Sequence, residues 1–205
     1  MNIFGYGAAR SQQGKLCKMW FAVILLAWSS AVVADQPAPN KSAAKYEVQF
    51  MENMIDHHSM ALEMARICLT NAVHPELRTM CEQVIAAQQE EISMLQSWLG
   101  DWYGVDGYQP TMTAGEMKQM EQLRALSGAE FEITFMRQLI QHHQQAIRMA
   151  ATCTKRASHP DLVDMCEEII EAQAAEITQL RAWLCEWYGL CNRRDQKNEA
   201  EHEDD

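Results

Sequence analysis

Apolar residues recur at helical spacing through most of the chain, and the whole pattern occurs twice. From Tyr46 they return every three or four residues, pause at a turn after Thr70, and resume until Gly104. Segment 46–104 aligns without a gap with segment 131–189 at a constant offset of 85 residues. Roughly half of the aligned positions are identical, which indicates an internal duplication. Each copy predicts a hairpin of two antiparallel helices.

The intervening residues predict one further, shorter helix. Thr113 and Glu116 have the spacing of a capping box, and Ser127 and Glu130 repeat that spacing where the third long helix should begin. No segment has the alternation of a strand. We therefore expect an all-α fold, a four-helix bundle of two repeated antiparallel hairpins with one short linker helix. The expected divisions are a signal peptide (1–34), a flexible lead-in (35–45), hairpin repeat 1 (46–104), a linker with a short helix (105–128), hairpin repeat 2 (129–189) and a disordered acidic tail (190–205).

The N-terminal residues predict export. Three basic residues precede the apolar run 19–33, which ends in small residues before Asp35. This run is 15 residues long, shorter than the ~20 that span a bilayer. We expect a cleaved secretory signal, a periplasmic or extracellular protein, and no stable membrane insertion after cleavage; an uncleaved anchor is the alternative.

The charge balance narrows the class of partner. Acidic residues exceed basic ones, for a formal net charge of −11. Such a surface repels nucleic acid and favours cations, so we expect a metal ion as partner and no nucleic acid. A homo-oligomer is compatible with the sequence.

The cysteine count agrees with export. Six cysteines follow the leader, and an even number in an exported chain suggests disulfides. The repeat places two of them at the helix–helix turn of each copy, which favours the pairs Cys68–Cys81 and Cys153–Cys166. Cys185 and Cys191 then pair by default.

Each repeat contains two adjacent histidines within its apolar stripe. In an antiparallel hairpin facing residues have a constant index sum, and a bond between Cys68 and Cys81 sets that sum at 149. His58 should then face Glu91 on the neighbouring helix. The polar positions expected to cluster in this way are His57, His58, Gln88 and Glu91 in repeat 1 and His142, His143, Gln173 and Glu176 in repeat 2. Imidazole is a common metal ligand and a carboxylate often orients it, whereas a packed His–Glu hydrogen bond is the structural alternative.

Methionines suggest which metal such a site would prefer. Met54 and Met60 each lie three residues from His57, and the index sum places Met94 on the facing helix. Thioether together with imidazole selects copper, particularly Cu(I), although methionine also fills gaps between helices. We expect copper, with iron or zinc as alternatives.

These motifs resemble the bacterial family called domain of unknown function 305. The family pattern is an aromatic residue, then Met-Ile-x-His-His, then Ala and Met-Ala, and here it begins at Phe50 and Met54. In the second copy Leu139 replaces the motif methionine. The resemblance implies an exported, often duplicated, ferritin-like helical bundle, some relatives of which are linked to copper binding.

Three hypotheses follow for function. The preferred hypothesis is an exported metal-binding protein that takes part in copper sequestration or tolerance. Copper is the metal we expect it to bind. The histidine pairs and the three methionines would be its ligands, and the glutamates and glutamines would orient them. The second is a non-catalytic structural or interaction module with packed His–Glu clusters. The third is a metal-dependent oxidoreductase on a ferritin-like scaffold. It is disfavoured because di-iron bundles use Glu-x-x-His motifs, whereas the positions three before the paired histidines are Met54, Ile55, Leu139 and Ile140.

Overall fold

The computed structural model describes residues 36–191, and these residues form five α-helices and no strand. The helices are α1 (Lys41–Asn71), α2 (Pro75–Tyr103), α3 (Ala114–Arg124), α4 (Gly128–Arg156) and α5 (Pro160–Tyr188). The all-α prediction is confirmed. The expected signal peptide and nearly all of the acidic tail lie outside the described residues. No helix in the described part of the chain is long and apolar enough to cross a bilayer.

Two helix starts differ from the sequence expectation. α1 begins at Lys41, inside the expected lead-in, because the Asn40 side chain accepts a hydrogen bond from the Ala43 backbone N–H at 2.8 Å. The capping box at Thr113 and Glu116 is present. Ser127, in contrast, makes no side-chain cap. Gly128 follows it with a φ of 58°, which turns the backbone away from the geometry of a capping box.

Each repeat is a helical hairpin closed by a disulfide near its turn. Cys68 is bonded to Cys81 between α1 and α2, and Cys153 to Cys166 between α4 and α5. The third disulfide joins Cys185 at the end of α5 to Cys191. All three connect the residues paired in the sequence analysis. The hairpins pack on each other mainly through α1 and α4.

The apolar interior consists of two clusters. One contains the C-terminal half of α1, the N-terminal half of α4, and residues of α2, α3 and α5. The other contains the opposite halves of the long helices, including Met54 on α1 and Ala146 on α4. The histidine pairs lie between these two sets along α1 and α4. The duplicated sequence therefore places a polar layer at the middle of a mostly apolar core.

The short helix α3 covers one side of this core. It packs against α1 and touches α4, with Met120 and Leu123 both 1% exposed. The linker before it is attached to α1, because the backbone N–H of Thr111 donates to the Asp56 carboxylate at 2.8 Å. Asn71 at the end of α1 donates to the backbone carbonyl of Leu126 at 3.0 Å. Both ends of the linker are thus fixed to the first repeat.

Candidate metal centre

The two histidine pairs meet where α1 crosses α4. The rings of His57 and His142 are stacked, with their centroids 3.6 Å apart and their planes 29° from parallel. These two residues are equivalent in the duplicated sequence, so they lie together at the junction of the two hairpins. The helical period fixed which face of α1 is buried but not which helix it meets, so this contact was not predictable from the pattern.

The ring nitrogens of the stacked pair are largely without partners. His142 Nε2 lies 3.0 Å from the backbone carbonyl oxygen of His57, to which a neutral ring donates its proton. That tautomer leaves a lone pair on His142 Nδ1, which is buried and has no hydrogen-bond partner. Both ring nitrogens of His57 are buried and lack a well-aligned hydrogen bond, although the Gln145 side chain lies close enough to raise the pKa of that ring slightly. Buried polar atoms are nearly always hydrogen-bonded, so the unprotonated nitrogen of each ring suits a ligand that accepts its lone pair.

Burial keeps both stacked rings neutral. Burial, with smaller contributions from the neighbouring His58 and His143, lowers the pKa of His57 to about 3. Burial likewise holds the pKa of His142 well below its ordinary value, with His57 as the next contributor. A neutral imidazole is the form that binds metals, so neither ring needs to lose a proton near neutral pH.

The outer histidine of each pair faces a carboxylate, as the index sum predicts. His58 Nε2 is 2.7 Å from Glu91 Oε2, and His143 Nε2 is 2.7 Å from Glu176 Oε2. All four atoms lack a well-aligned hydrogen bond, because the carboxylates lie off the direction of the ring N–H. These contacts are therefore close polar contacts that hold the rings in place without forming well-aligned hydrogen bonds.

The expected glutamines reach the same buried layer. Gln88 and Gln173 are each 3% exposed, and the side-chain oxygen of each has no hydrogen-bond partner. The buried layer therefore contains polar atoms that find no hydrogen-bond partner within it.

The three candidate methionines have different surroundings. Met54 is fully buried and Met60 is 9% exposed, and the two flank His57 on successive turns of α1. Met94, in contrast, is 40% exposed, so it is more open to solvent than the other two. It lies three residues beyond Glu91 on α2, on nearly the same side of that helix, and Glu91 is itself partly exposed.

The side chains do not form a preorganised coordination shell. Within residues 36–191 no three His, Cys, Asp or Glu side chains converge as metal ligands do. The two stacked rings lie face to face, an arrangement in which their nitrogens do not point at a common ion. Rotation of one ring about its side-chain bonds would be needed for His57 and His142 to bind one ion, with thioether sulfur completing the set.

Two further polar clusters, not anticipated from the sequence, join the repeats at their ends. We call them the inter-repeat clamps. In the first, Glu47 of α1 accepts hydrogen bonds from Tyr103 Oη at 2.6 Å and from the backbone N–H of Ser158 at 2.5 Å. It also lies 2.5 Å from His159 Nδ1, and the His159 ring stacks on Trp102 at 3.8 Å. The carboxylate therefore connects α1, α2 and the start of α5.

The second clamp repeats the first at the 85-residue offset. Glu132 of α4 accepts from Tyr188 Oη and from the backbone N–H of Val73 at 2.6 Å, and it lies 2.6 Å from His74 Nδ1. The His74 ring stacks on Trp187 at 3.9 Å. Both glutamates are fully buried and both are kept in the duplication, which was the signal that could have identified them.

Hydrogen bonds, rather than burial, determine the direction of the pKa shift of each clamp glutamate. Burial alone would raise the pKa of Glu47, but the bonds from Tyr103, Ser158 and His159 outweigh it, and the pKa falls below its ordinary value. Glu132 behaves in the same way. Burial and the carboxylate beside it raise the pKa of Tyr103. The clamps are saturated with partners, in contrast to the unpaired nitrogens of the central layer.

Comparison with known proteins identifies the family. The family model described as "Domain of unknown function (DUF305)" matches residues 47–184. The Cu(I)-bound form of CopM is 30% identical, with a TM-score of 0.62 over 69% of this chain and 97% of that one. The Cu(II)-bound form of CopM is 31% identical, with a TM-score of 0.63 and the same coverage of both chains.

A more distant structure supports the fold alone. A DUF305 fragment from Deinococcus radiodurans is 24% identical, with a TM-score of 0.61 over 72% of this chain and 97% of the fragment. No curated protein sequence matches the chain. Because the family model covers both hairpins and the solved relatives share their helical fold, the chain belongs to the DUF305 family.

Proposed function

We propose that this protein is an exported copper-binding protein whose ion lies between the two hairpins, bound first by His57 and His142. Its role would be to sequester copper outside the cytoplasm or to confer tolerance to it. The observation that supports this most is the stacked pair, in which His142 Nδ1 and the nitrogens of His57 are buried without a hydrogen-bond partner. A shared centre of this kind takes one ion per chain, because both repeats contribute to it.

The ion is a soft one. Met54 and Met60 each lie three residues from His57 on α1, and neutral imidazole together with thioether favours Cu(I). A hard cation would need carboxylate oxygens, but Glu91 and Glu176 already face the outer histidines. Those carboxylates would orient His58 and His143, and the glutamines could bond to rings that rotate towards the ion.

The solved relatives support the choice of copper. CopM has been solved in forms bound to Cu(I), Cu(II) and silver, as well as in its apo form. Silver is a close chemical substitute for Cu(I), so its binding to CopM fits a thioether and imidazole site. Iron and zinc have no comparable support. The disulfides fit an oxidising compartment, and we therefore place the protein in the periplasm or outside the cell.

Competition with a chromophoric Cu(I) chelator tests the proposal on the mature chain. We expect one tight site per chain, and we expect His57→Asn and His142→Asn each to weaken it by about tenfold or more, which is about 1.4 kcal/mol. His202→Asn, in the acidic C-terminal segment, is the control for the loss of one imidazole. Far-ultraviolet circular dichroism checks that each variant is folded. Unchanged affinity in the folded His57→Asn, His142→Asn double variant would refute the proposal.

One observation favours the structural alternative. Each outer histidine already has a carboxylate beside it, and the described residues contain no converging set of three conventional ligands. If the polar layer only specifies how the hairpins pack, Cu(I) should leave the melting temperature unchanged. A native-state ligand at ~100 times its Kd instead stabilises by about 2.7 kcal/mol, which a thermal melt detects readily.

A further inference from the structure

A shallow cleft between α3 and α1 has a second concentration of thioethers. Its cavity of about 460 Å³ is lined by Met112, Met117 and Met120 together with polar residues of α1 and α3. It opens beside Ser59, on the turn of α1 that follows the histidine pair. The cleft is therefore near the central layer but separate from it, and none of its lining residues belongs to the candidate centre.

The three methionines range from exposed to fully buried. A site that takes an ion from solvent needs at least one ligand that solvent can reach. Met117 is 54% exposed, which is unusual for a large apolar side chain in this fold. Met112 is partly buried and packs against the core. Met120 is 1% exposed and lies one helical turn from Met117 on the same face of α3. Gap filling explains Met120, but it does not explain a half-exposed methionine at the mouth of the cleft.

The walls of the cleft are held rigidly. The capping box at Thr113 fixes the start of α3, and Asn71 fixes the segment after it through the Leu126 carbonyl. Arg124 at the end of α3 forms an ion pair with Glu63 of α1. The thioethers are thus presented by segments attached to α1 at both ends, rather than by a free loop.

The charges around the cleft select against hard cations. Glu63 and Glu121 line it, but Arg66 and Arg124 line it as well, so the side chains contribute no net charge. Glu63 is also engaged by both arginines, at 3.6 Å from Arg66 in the longer contact. Glu121 is the other carboxylate of the cleft, and one carboxylate is too few for an oxygen-seeking divalent ion, whereas a monovalent soft ion can bind to sulfur alone.

We propose that Met112, Met117 and Met120 form a second, surface site for a soft monovalent ion, Cu(I) or Ag(I). The choice of ion rests on the proposed function, but the site does not share ligands with the central histidines.

Silver titration of the full mature chain with ¹³C-methyl-labelled methionine tests this site directly. Ag(I) is the probe because it is redox-inert and uses the same donors as Cu(I). We expect the methyl resonances of the three cleft methionines to shift once Ag(I) exceeds the one equivalent that the central site takes. Met112→Leu with Met117→Leu should abolish the shift of Met120 and remove one bound silver ion per chain. Met94→Leu is the matched control, since Met94 is also exposed but lies outside the cleft.

The outcomes separate this site from the central one. In the His57→Asn, His142→Asn variant the cleft resonances should still shift, even if binding at the centre is lost. Cleft resonances that stay fixed at saturating Ag(I) would overturn the proposal, whatever happens at the histidines. So would a loss of silver in Met94→Leu equal to that in the cleft variant. Leucine keeps the apolar volume, and circular dichroism confirms folding.

Discussion

The buried neutral histidines make the stability of the metal-free protein depend on pH in a defined way. The pKa of His57 is about 3 in the folded protein, against about 6.5 in an unfolded chain. Below pH 6.5 the unfolded chain therefore binds a proton that the folded protein does not. By linkage, His57 contributes stability that is present above pH 6.5 and is lost as the pH falls towards 3.

The size of this effect follows from the pKa difference. One pH unit below the unfolded pKa corresponds to about 1.4 kcal/mol for each group that stays neutral in the folded state. Between pH 7 and pH 5, His57 alone should cost about 2 kcal/mol of unfolding free energy. His142, whose pKa is also lowered by burial, acts in the same direction. The clamp glutamates lose their contribution only as the pH falls below about 4.5, so they do not obscure this window.

Urea denaturation of the apoprotein at pH 7 and pH 5 measures the effect. In His57→Asn the difference between the two pH values should shrink by about 2 kcal/mol, because the variant has no imidazole to protonate at that position in either state. His202→Asn should retain the difference seen in the parent protein. If the parent and His57→Asn lose equal stability between pH 7 and pH 5, then His57 is not buried in its neutral form and the description of the central layer is wrong.

Further predictions concern the clamp, the disulfides and the soft donors. Glu132→Ala leaves several buried donors unpaired and should cost about 3–5 kcal/mol in urea denaturation, whereas Glu132→Gln should cost less because one oxygen still accepts. Replacing both Cys185 and Cys191 by serine opens a loop with a separation of 6 residues and should cost about 2 kcal/mol in the same assay. Met54→Leu should weaken Cu(I) binding in the chelator competition, and Met94→Leu should not. Cu(I) affinity should change little between pH 7 and pH 5, because no proton competes for the two stacked rings; a decrease of about tenfold per pH unit would contradict this.

Local patterns predicted what lies within one hairpin. The index sum set by Cys68 and Cys81 placed His58 opposite Glu91, and the two side chains are 2.7 Å apart. This works because two helices joined by a tight turn have only one register, which a single contact fixes. The disulfides and the all-α fold follow from equally local information.

The sequence alone did not predict the contacts between the two hairpins. The apolar stripe shows that His57 faces inward, but any of three other long helices could have met it, and the stacking on His142 depends on which one does. The clamps are missed for the same reason, since Glu47 caps residues more than 100 positions away. The exposure of Met94 shows a different limit: the index sum gives the level along a helix but not the direction in which the side chain points.

Copper K-edge X-ray absorption on the mature protein loaded with one equivalent of Cu(I) tests the central claim most directly. If His57 and His142 bind the ion between the hairpins, the spectrum will show the multiple scattering of imidazole together with a sulfur shell. The imidazole signal will disappear in the folded His57→Asn, His142→Asn variant. An identical imidazole signal in the parent protein and in this variant would contradict the account.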